Sequence, residues 1–182
     1  MFWDETPAYP MFCFQYLHFT GALDHSFFEE SIADALKRHP LMNARVVLKR
    51  GKPYWEPLTD SPVIHYERGD SREVFAHFKA PDIRKAAGVA FVLNEKTGST
   101  GEVESVDFGF WVHHSVSDAS GVLAFLEDVF IGYARRTGKT LPTLSGTEVK
   151  SARRGGASLA GSYGAVLGGE LWLVGEIGRA HV

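Results

Sequence analysis

The sequence of 182 residues is 45% hydrophobic and 13% aromatic, a composition that indicates a globular chain long enough to bury a core and excludes a disordered one. The 19 basic and 22 acidic residues give a net charge of −3, so the charge balance gives no indication of nucleic-acid binding. Cys13 is the single cysteine, which excludes an intramolecular disulfide and a cysteine-based metal cluster and fits a reducing, cytoplasmic setting.

The N-terminal part of the sequence predicts a strand followed by a helix. Residues 11–20 are aromatic and mostly apolar, as in a largely buried strand. Ser26 and Glu29 have the spacing of a capping box, so we expect Ser26 to cap the helix that follows and Pro40 to end it. The apolar residues of this helix recur at helical spacing and form one face: Phe28, Ile32, Ala35 and Leu36.

The next part of the sequence predicts a hairpin and two short elements. Residues 44–49 and 53–57 are strand-like runs on either side of a turn at Gly51-Lys52. A short strand is expected at 63–66 and a short helix at 71–80.

Two longer strands and a second helix follow. Residues 88–94 and 104–113 are predicted strands, the second with an apolar, aromatic-rich run at 106–112. The turn-rich connector 95–101 joins them, so we expect them to pair antiparallel. The second helix is expected at about 119–136. Its apolar residues line one face: Val122, Phe125, Leu126, Val129, Phe130 and Tyr133.

The turn Trp111-Val-His-His-Ser-Val-Ser-Asp-Ala-Ser-Gly121 is the stretch best suited to chemistry. Because neighbouring strand residues point to opposite faces, His113 is expected to face inward with Trp111, and His114 to face a cleft at the strand end. A neutral imidazole with a pKa near its ordinary value of about 6.5 is a competent general base. Asp118 would orient His114, brace the turn, or serve as a favourable carboxylate in the first turn of the helix.

These residues alone leave other interpretations open. Either histidine could be an ordinary core or surface residue. His113 and His114 could serve a metal-dependent hydrolase, although adjacent strand positions diverge and no third ligand is spaced to match. Ser115 could be a nucleophile with His114 as its base, but no Gly-x-Ser-x-Gly elbow surrounds it.

The segment from His113 to Ala119 resembles the His-His-x-x-x-Asp-Gly motif of the acyltransferase superfamily that contains chloramphenicol acetyltransferase, peptide-synthetase condensation domains and alcohol acyltransferases. Two other regions are similar to this superfamily. One is Gly21-Ala-Leu-Asp24 with the first helix and the Arg38-His-Pro-Leu-Met-Asn-Ala-Arg45 segment after it, and the other is the helix segment 127–133 after the motif. The resemblance runs over about residues 7–142. It has one departure, since Ala119 stands where the motif has glycine.

The resemblance implies an α+β lobe with a chloramphenicol acetyltransferase-like fold, a mixed, mainly antiparallel sheet with helices packed on it. It implies acyl transfer from a thioester, on coenzyme A or a phosphopantetheinyl carrier protein, to a hydroxyl or amine of a small-molecule acceptor. No permanently bound cofactor and no metal are expected.

The resemblance also implies a role for each motif residue. His114 would be the catalytic base, and His113 and Asp118 would shape the loop. Asp118 would pair with an arginine, for which Arg45 is the candidate. Ala119 would be strained if its position needs a positive φ and harmless in the first turn of a helix, which is what we expect. The alternative is a non-catalytic, condensation-like binding module with a relaxed motif.

The enzymes of this superfamily have two similar lobes, and the resemblance places the chain in the first. We expect residues 1–142 to form the N-terminal lobe, 143–176 to begin the crossover to the second lobe, and 177–182 to be a translated sequencing-adapter tail. The chain alone would then be inactive. The N-terminus lacks the pattern of a signal peptide and 155–169 is glycine-rich, so we expect a cytoplasmic protein without a membrane span.

Overall fold

The computed structural model describes residues 11–79 and 81–138, and the backbone of 163–167 and 170–174. Between residues 11 and 138, the type and order of the elements agree with those predicted from the sequence. In chain order the elements are β1 (Phe12–Thr20), α1 (His25–Arg38), β2 (Ala44–Lys49), β3 (Lys52–Pro57), β4 (Ile64–Glu67), α2 (Ser71–His77), β5 (Val89–Thr97), β6 (Val103–His113), α3 (Ala119–Arg136), β7 (Tyr163–Leu167) and β8 (Glu170–Val174).

Four of the strands form one mixed sheet in the order β1-β6-β5-β4. β6 pairs antiparallel with β1 on one side and with β5 on the other, while β4 is parallel to β5. The predicted antiparallel pairing of the two long apolar strands is therefore confirmed. β2 pairs with β3 and β7 with β8 in separate two-stranded sheets.

The main core lies between one face of the four-stranded sheet and the helices α1 and α3. The rings of Phe28 on α1 and Phe108 on β6 meet edge to face at 5.2 Å, and those of Phe125 on α3 and Phe110 stack at 5.2 Å. All four side chains are fully buried, and burial of an aromatic side chain of this size contributes about 1.5–3 kcal/mol. The predicted apolar faces of both helices are thus the faces that form the core.

The opposite face of the sheet is covered in part by α2. A smaller cluster forms there from Ala90, Val92 and Trp111, with Phe75 and Phe78 packed against it. Residues of β6 alternate between the two faces, as the two-residue period of a strand requires. Trp111 and His113 therefore lie on the face away from α1 and α3.

The start of α1 differs from the prediction. Asp24, not Ser26, is the N-cap, and its carboxylate accepts a hydrogen bond from the amide of Phe27 at 3.1 Å. Ser26 donates its hydroxyl hydrogen to the same carboxylate at 2.8 Å. The Glu29 carboxylate accepts a hydrogen bond from the Tyr66 hydroxyl, so it does not close the expected capping box. A carboxylate two residues earlier in the chain, held in extended backbone, takes the capping role.

The turn of the β2–β3 hairpin also lies one residue earlier than predicted. Lys49 pairs with Lys52 across the hairpin, so Arg50 and Gly51 form the two-residue loop. Their φ angles are 53° and 76°. Positive φ at both central residues gives the turn a twist that matches the flanking strands, which explains why the loop uses Arg50-Gly51 and not Gly51-Lys52.

Candidate functional site

The two adjacent histidines lie at the end of β6, where the backbone is held from both sides. The amide of His113 donates to the carbonyl of Gly88 at 2.8 Å, next to the start of β5. The amide of His114 donates to the carbonyl of Met11 at 2.8 Å, next to the start of β1. Hydrogen bonds to both neighbouring strands fix the position of this strand end, which is what a site needs if it is to hold a side chain accurately.

His113 is fully buried. Its ring packs edge to face with the ring of Phe12 at 4.8 Å, and its Nδ1 accepts a hydrogen bond from the amide of Ser115 at 3.0 Å. An imidazole that accepts at Nδ1 carries its proton at Nε2 in the neutral form. The ring of His113 thus braces the turn that follows β6, in the inward position predicted from strand alternation.

His114 is exposed, in contrast to its neighbour. Small side chains follow it at Ser115 and Ser117, and the turn closes through a hydrogen bond from the amide of Val116 to the carbonyl of His113 at 3.0 Å. The imidazole of His114 is accessible while its backbone is fixed. This arrangement suits a group that exchanges a proton with a bound molecule.

Asp118 is the N-cap of α3. Its Oδ1 accepts a hydrogen bond from the amide of Gly121 at 2.8 Å. Ala119 is the first residue of the helix, and Arg50 is the only non-glycine residue with positive φ in the described part of the chain. Alanine at this motif position is therefore unstrained, as expected for the first turn of a helix.

The expected pairing of Asp118 with Arg45 is not formed. Arg45 stands opposite Glu56 in the β2–β3 hairpin, and its Nε and a terminal guanidinium nitrogen lie 2.7 and 2.6 Å from the Glu56 Oε2. Cross-strand neighbours are within direct reach, so the guanidinium binds the nearer carboxylate. Within residues 11–79 and 81–138, no ion pair involves Asp118.

Arg38 and His39 join the end of α1 to α3. The Arg38 Nε and His39 Nε2 lie 2.8 and 3.0 Å from the same carboxylate oxygen of Asp128. The segment after His39 then runs past the motif turn. A cavity of about 380 Å³ lies between them, lined by His39, Pro40, Leu41, Met42, Val116, Ser117, Asp118 and Gly121. The Arg-His-Pro-Leu segment and the histidine motif, distant in sequence, therefore form one region of the surface.

Gly88 and Gly121 shape the turn, a role that the sequence pattern did not assign to them. A β carbon on Gly88 would lie 2.4 Å from Cγ1 of Val116, and one on Gly121 would lie 2.3 Å from Oγ of Ser117. Gly88 thus makes room for the turn, and Gly121 allows it to approach the helix. A glycine inside an otherwise helical pattern, such as Gly121, is the one local signal that could have indicated a close contact.

Among the described residues, no three His, Cys, Asp or Glu side chains are grouped so that they could hold a metal ion. No helix in the described ranges is long and apolar enough to cross a membrane.

The sequence matches no protein-family model and no curated protein. The fold, in contrast, matches solved structures. SgcC5 from Streptomyces globisporus is 18% identical with a TM-score of 0.58, over 80% of this chain and 36% of that one. The X-domain in its complex with OxyB from teicoplanin biosynthesis is 16% identical with a TM-score of 0.60, over 74% and 30%. The starter condensation domain of rhizomide synthetase RzmA is 13% identical with a TM-score of 0.58, over 81% and 38%.

At these identities the likeness shows the fold. The chain has the α+β, chloramphenicol acetyltransferase-like fold of a condensation-domain lobe, with a mixed sheet and helices packed on it. This agrees with the superfamily that the His113–Ala119 motif resembles. The chain spans 30–38% of the length of these three structures.

Proposed function

We propose that the chain belongs to an acyltransferase that moves an acyl group from a thioester, on coenzyme A or a carrier protein, to a hydroxyl or amine. The observation that carries this proposal is the position of His114, an exposed imidazole on a strand end that is held from both sides. The lobe around it has the fold of a starter condensation domain. The SgcC5 structure, which has the same fold, contains an ethanediol derivative, a compound with hydroxyl groups.

In the proposed reaction His114 is the general base. Its imidazole takes the proton from the acceptor hydroxyl or amine as that oxygen or nitrogen attacks the thioester carbonyl carbon. The carbon–sulfur bond then breaks, the thiolate leaves and takes up the proton, and the product is an ester or an amide together with a free thiol. Protonation of the leaving thiolate by the imidazolium returns His114 to its starting state.

His113 and Asp118 have positioning roles in this proposal. His113 is buried and its Nδ1 is bonded to the backbone of Ser115, so it fixes the turn and is not offered to a substrate. Asp118 caps α3 and so fixes the other end of the same turn. His114 is thereby held between two fixed points, which lowers the cost of orienting it for proton transfer.

A second candidate is a non-catalytic binding module. It is favoured by the match to an X-domain whose solved structure is a complex with OxyB, because that protein uses the same fold in a contact with another protein. In such a module the motif turn would have a structural role only.

Replacement of His114 separates the two candidates. We expect His114→Ala in the full-length protein that contains this chain to lower kcat/KM for acyl transfer by about 10²- to 10⁴-fold. His77→Ala is the matched control, since His77 is exposed at the end of α2 and its Nδ1 contacts the carbonyl of Glu73 in the same helix, and it should leave the rate unchanged. Acyl transfer that survives His114→Ala at the wild-type rate would rule out the general-base role. A protein that transfers no acyl group in either form would favour the binding module.

A further inference from the structure

The short helix α2 has little packing of its own. It has seven residues and none of them is buried. A helix of this length is not stable in isolation, because the cost of nucleation is not recovered over so few hydrogen bonds. Contacts with the sheet must therefore hold α2 in place.

One set of contacts is aromatic. Phe75 lies with its ring centroid 6.1 Å from that of Trp111 and 5.5 Å from that of Phe14, and the ring of Phe78 after the helix lies 4.5 Å from Trp111. Gly109 allows this approach, since a β carbon there would lie 2.6 Å from Cε1 of Phe75. Because Phe14 and Phe75 remain partly exposed, these contacts bury only part of their apolar surface.

The other contacts are polar and buried. Ser71, the first residue of α2, donates its hydroxyl hydrogen to Oδ2 of Asp107, which is fully buried on β6. The Ser71 Oγ also accepts a hydrogen bond from Nδ2 of the buried Asn94 at 3.0 Å. The Asn94 side chain bonds both the amide and the carbonyl of Gly69, each at 3.0 Å. The beginning of α2 is thus bound to the sheet through two buried polar side chains.

The Asp107 carboxylate does not depend on α2 alone. It accepts hydrogen bonds from the Tyr16 hydroxyl at 2.8 Å and from the His18 Nδ1 at 2.6 Å, and the Lys96 Nζ lies 3.0 Å away. If Ser71 leaves, three donors on β1 and β5 still satisfy this charge. Asp107 therefore keeps three partners within the sheet while α2 detaches.

We propose that α2 is a strap on the sheet, fastened at Ser71 to Asp107 and Asn94, that opens as a unit without unfolding of the sheet. Opening uncovers the aromatic surface formed by Phe14, Gly109 and Trp111. This surface lies on β6, the strand that ends at His113, and on the edge strand β1. Segments with few buried apolar contacts are the ones that open at low free energy, and α2 has this property.

Amide hydrogen exchange of the variant Ser71→Ala tests the strap. Alanine is a better helix former than serine, so local helix propensity alone predicts slower exchange of the α2 amides. The strap predicts the reverse, because the variant removes a hydrogen bond to a charged group. We expect the amides from Val74 to Phe78 to exchange roughly tenfold to a hundredfold faster, with no change in β5 and β6.

Two further variants complete the test. Arg72→Ala changes the next, exposed residue of the same helix and should leave exchange in α2 at the wild-type rate. Ser71→Thr keeps a hydroxyl that can bond Asp107 and Asn94, so it should retain most of the protection of the α2 amides against exchange. Unchanged or slower exchange of α2 in Ser71→Ala would overturn the proposal. So would acceleration of β5 and β6 by the same factor as α2, since that is opening of the whole domain.

Discussion

Gly88 and Val116 are in direct contact, with no room for a side chain between them: a β carbon on Gly88 would lie 2.4 Å from Cγ1 and 3.0 Å from Cγ2 of the valine. Gly88 also accepts the hydrogen bond that holds His113. Val116 is buried and lies in the part of the turn that follows His114. The pair therefore connects the start of β5 to the turn that follows the two histidines.

Gly88→Ala should displace this turn. Both methyl groups of the valine lie close to the added β carbon, so rotation of the valine side chain does not relieve the overlap. We therefore expect the free energy of unfolding to fall by about 1–3 kcal/mol. Urea denaturation measures this change. Gly69→Ala is the control, because a β carbon there meets its nearest atom at 3.5 Å, an ordinary contact. Equal stabilities of the two variants would contradict the close contact seen here.

Substitutions of Asp118 should separate its capping role from its charge. Asp118→Ala removes the acceptor of the Gly121 amide and should lower the free energy of unfolding by about 1 kcal/mol, whereas asparagine is an equally good cap and should cost only a few tenths. Thermal denaturation of the two variants provides the comparison. If asparagine were as harmful as alanine, the negative charge and not the hydrogen bond would be what α3 requires.

Ala119→Gly, which restores the glycine of the superfamily motif, should give no gain in stability. Ala119 begins α3 with helical backbone, and glycine in a helix costs up to about 1 kcal/mol relative to alanine. We therefore expect a melting temperature at or slightly below that of the wild type. An increase in melting temperature would mean that this position needs a conformation that alanine adopts only with strain.

Asp107→Asn should destabilise the protein in a pH-dependent way. Burial raises the pKa of the Asp107 carboxyl, but hydrogen bonds from His18, Ser71, Lys96 and Tyr16 outweigh it, so the pKa lies below its ordinary value. A lowered folded-state pKa stabilises the fold above the unfolded-state pKa of about 3.9, and this contribution is lost as the pH falls through the folded-state value. Charge-assisted hydrogen bonds of this kind are worth about 1.5–3 kcal/mol.

Urea denaturation at a series of pH values checks this prediction. At neutral pH the variant should be less stable than the wild type, and the difference should shrink only at pH values below about 4. Asp34→Asn is the control, since Asp34 pairs with Lys37 and Arg136 at the surface and such pairs contribute less than about 1 kcal/mol. A stability difference that is independent of pH would mean that Asp107 acts through shape and not through charge.

The periodic parts of the fold were predictable from the sequence, and the contacts between distant elements were not. The apolar faces that contain Phe28 and Phe125 follow from helical spacing, and the opposite exposures of His113 and His114 follow from strand alternation. The partner of Arg45 depends on the register of its hairpin. Arg45 pairs with Glu56 and not with Asp118 because Glu56 lies directly opposite it on the neighbouring strand.

The contacts of Asp107 were even less predictable from the sequence. Its hydrogen-bond partners lie 91 and 89 residues away on β1 and 36 residues away on α2. No pattern within β6 indicates them, because the spacing of residues along one strand does not show which side chains of other strands and helices a carboxylate meets. The predicted N-cap of α1 was wrong for a local reason. Asp24 and Ser26 are both good capping residues, and the capping-box spacing favoured Ser26 although Asp24 is the N-cap.

The backbone at Ala119 bears on how relatives of this chain are found. A search pattern that demands glycine directly after the motif aspartate rejects any sequence with alanine there, although a plain helical residue can be any good helix former. A pattern that asks for a helix-capping aspartate and a glycine three residues later, as in Asp118 and Gly121, describes the contact that the backbone makes. Sequences that lack glycine at the position of Ala119 can therefore still be recognised by glycine at the position of Gly121.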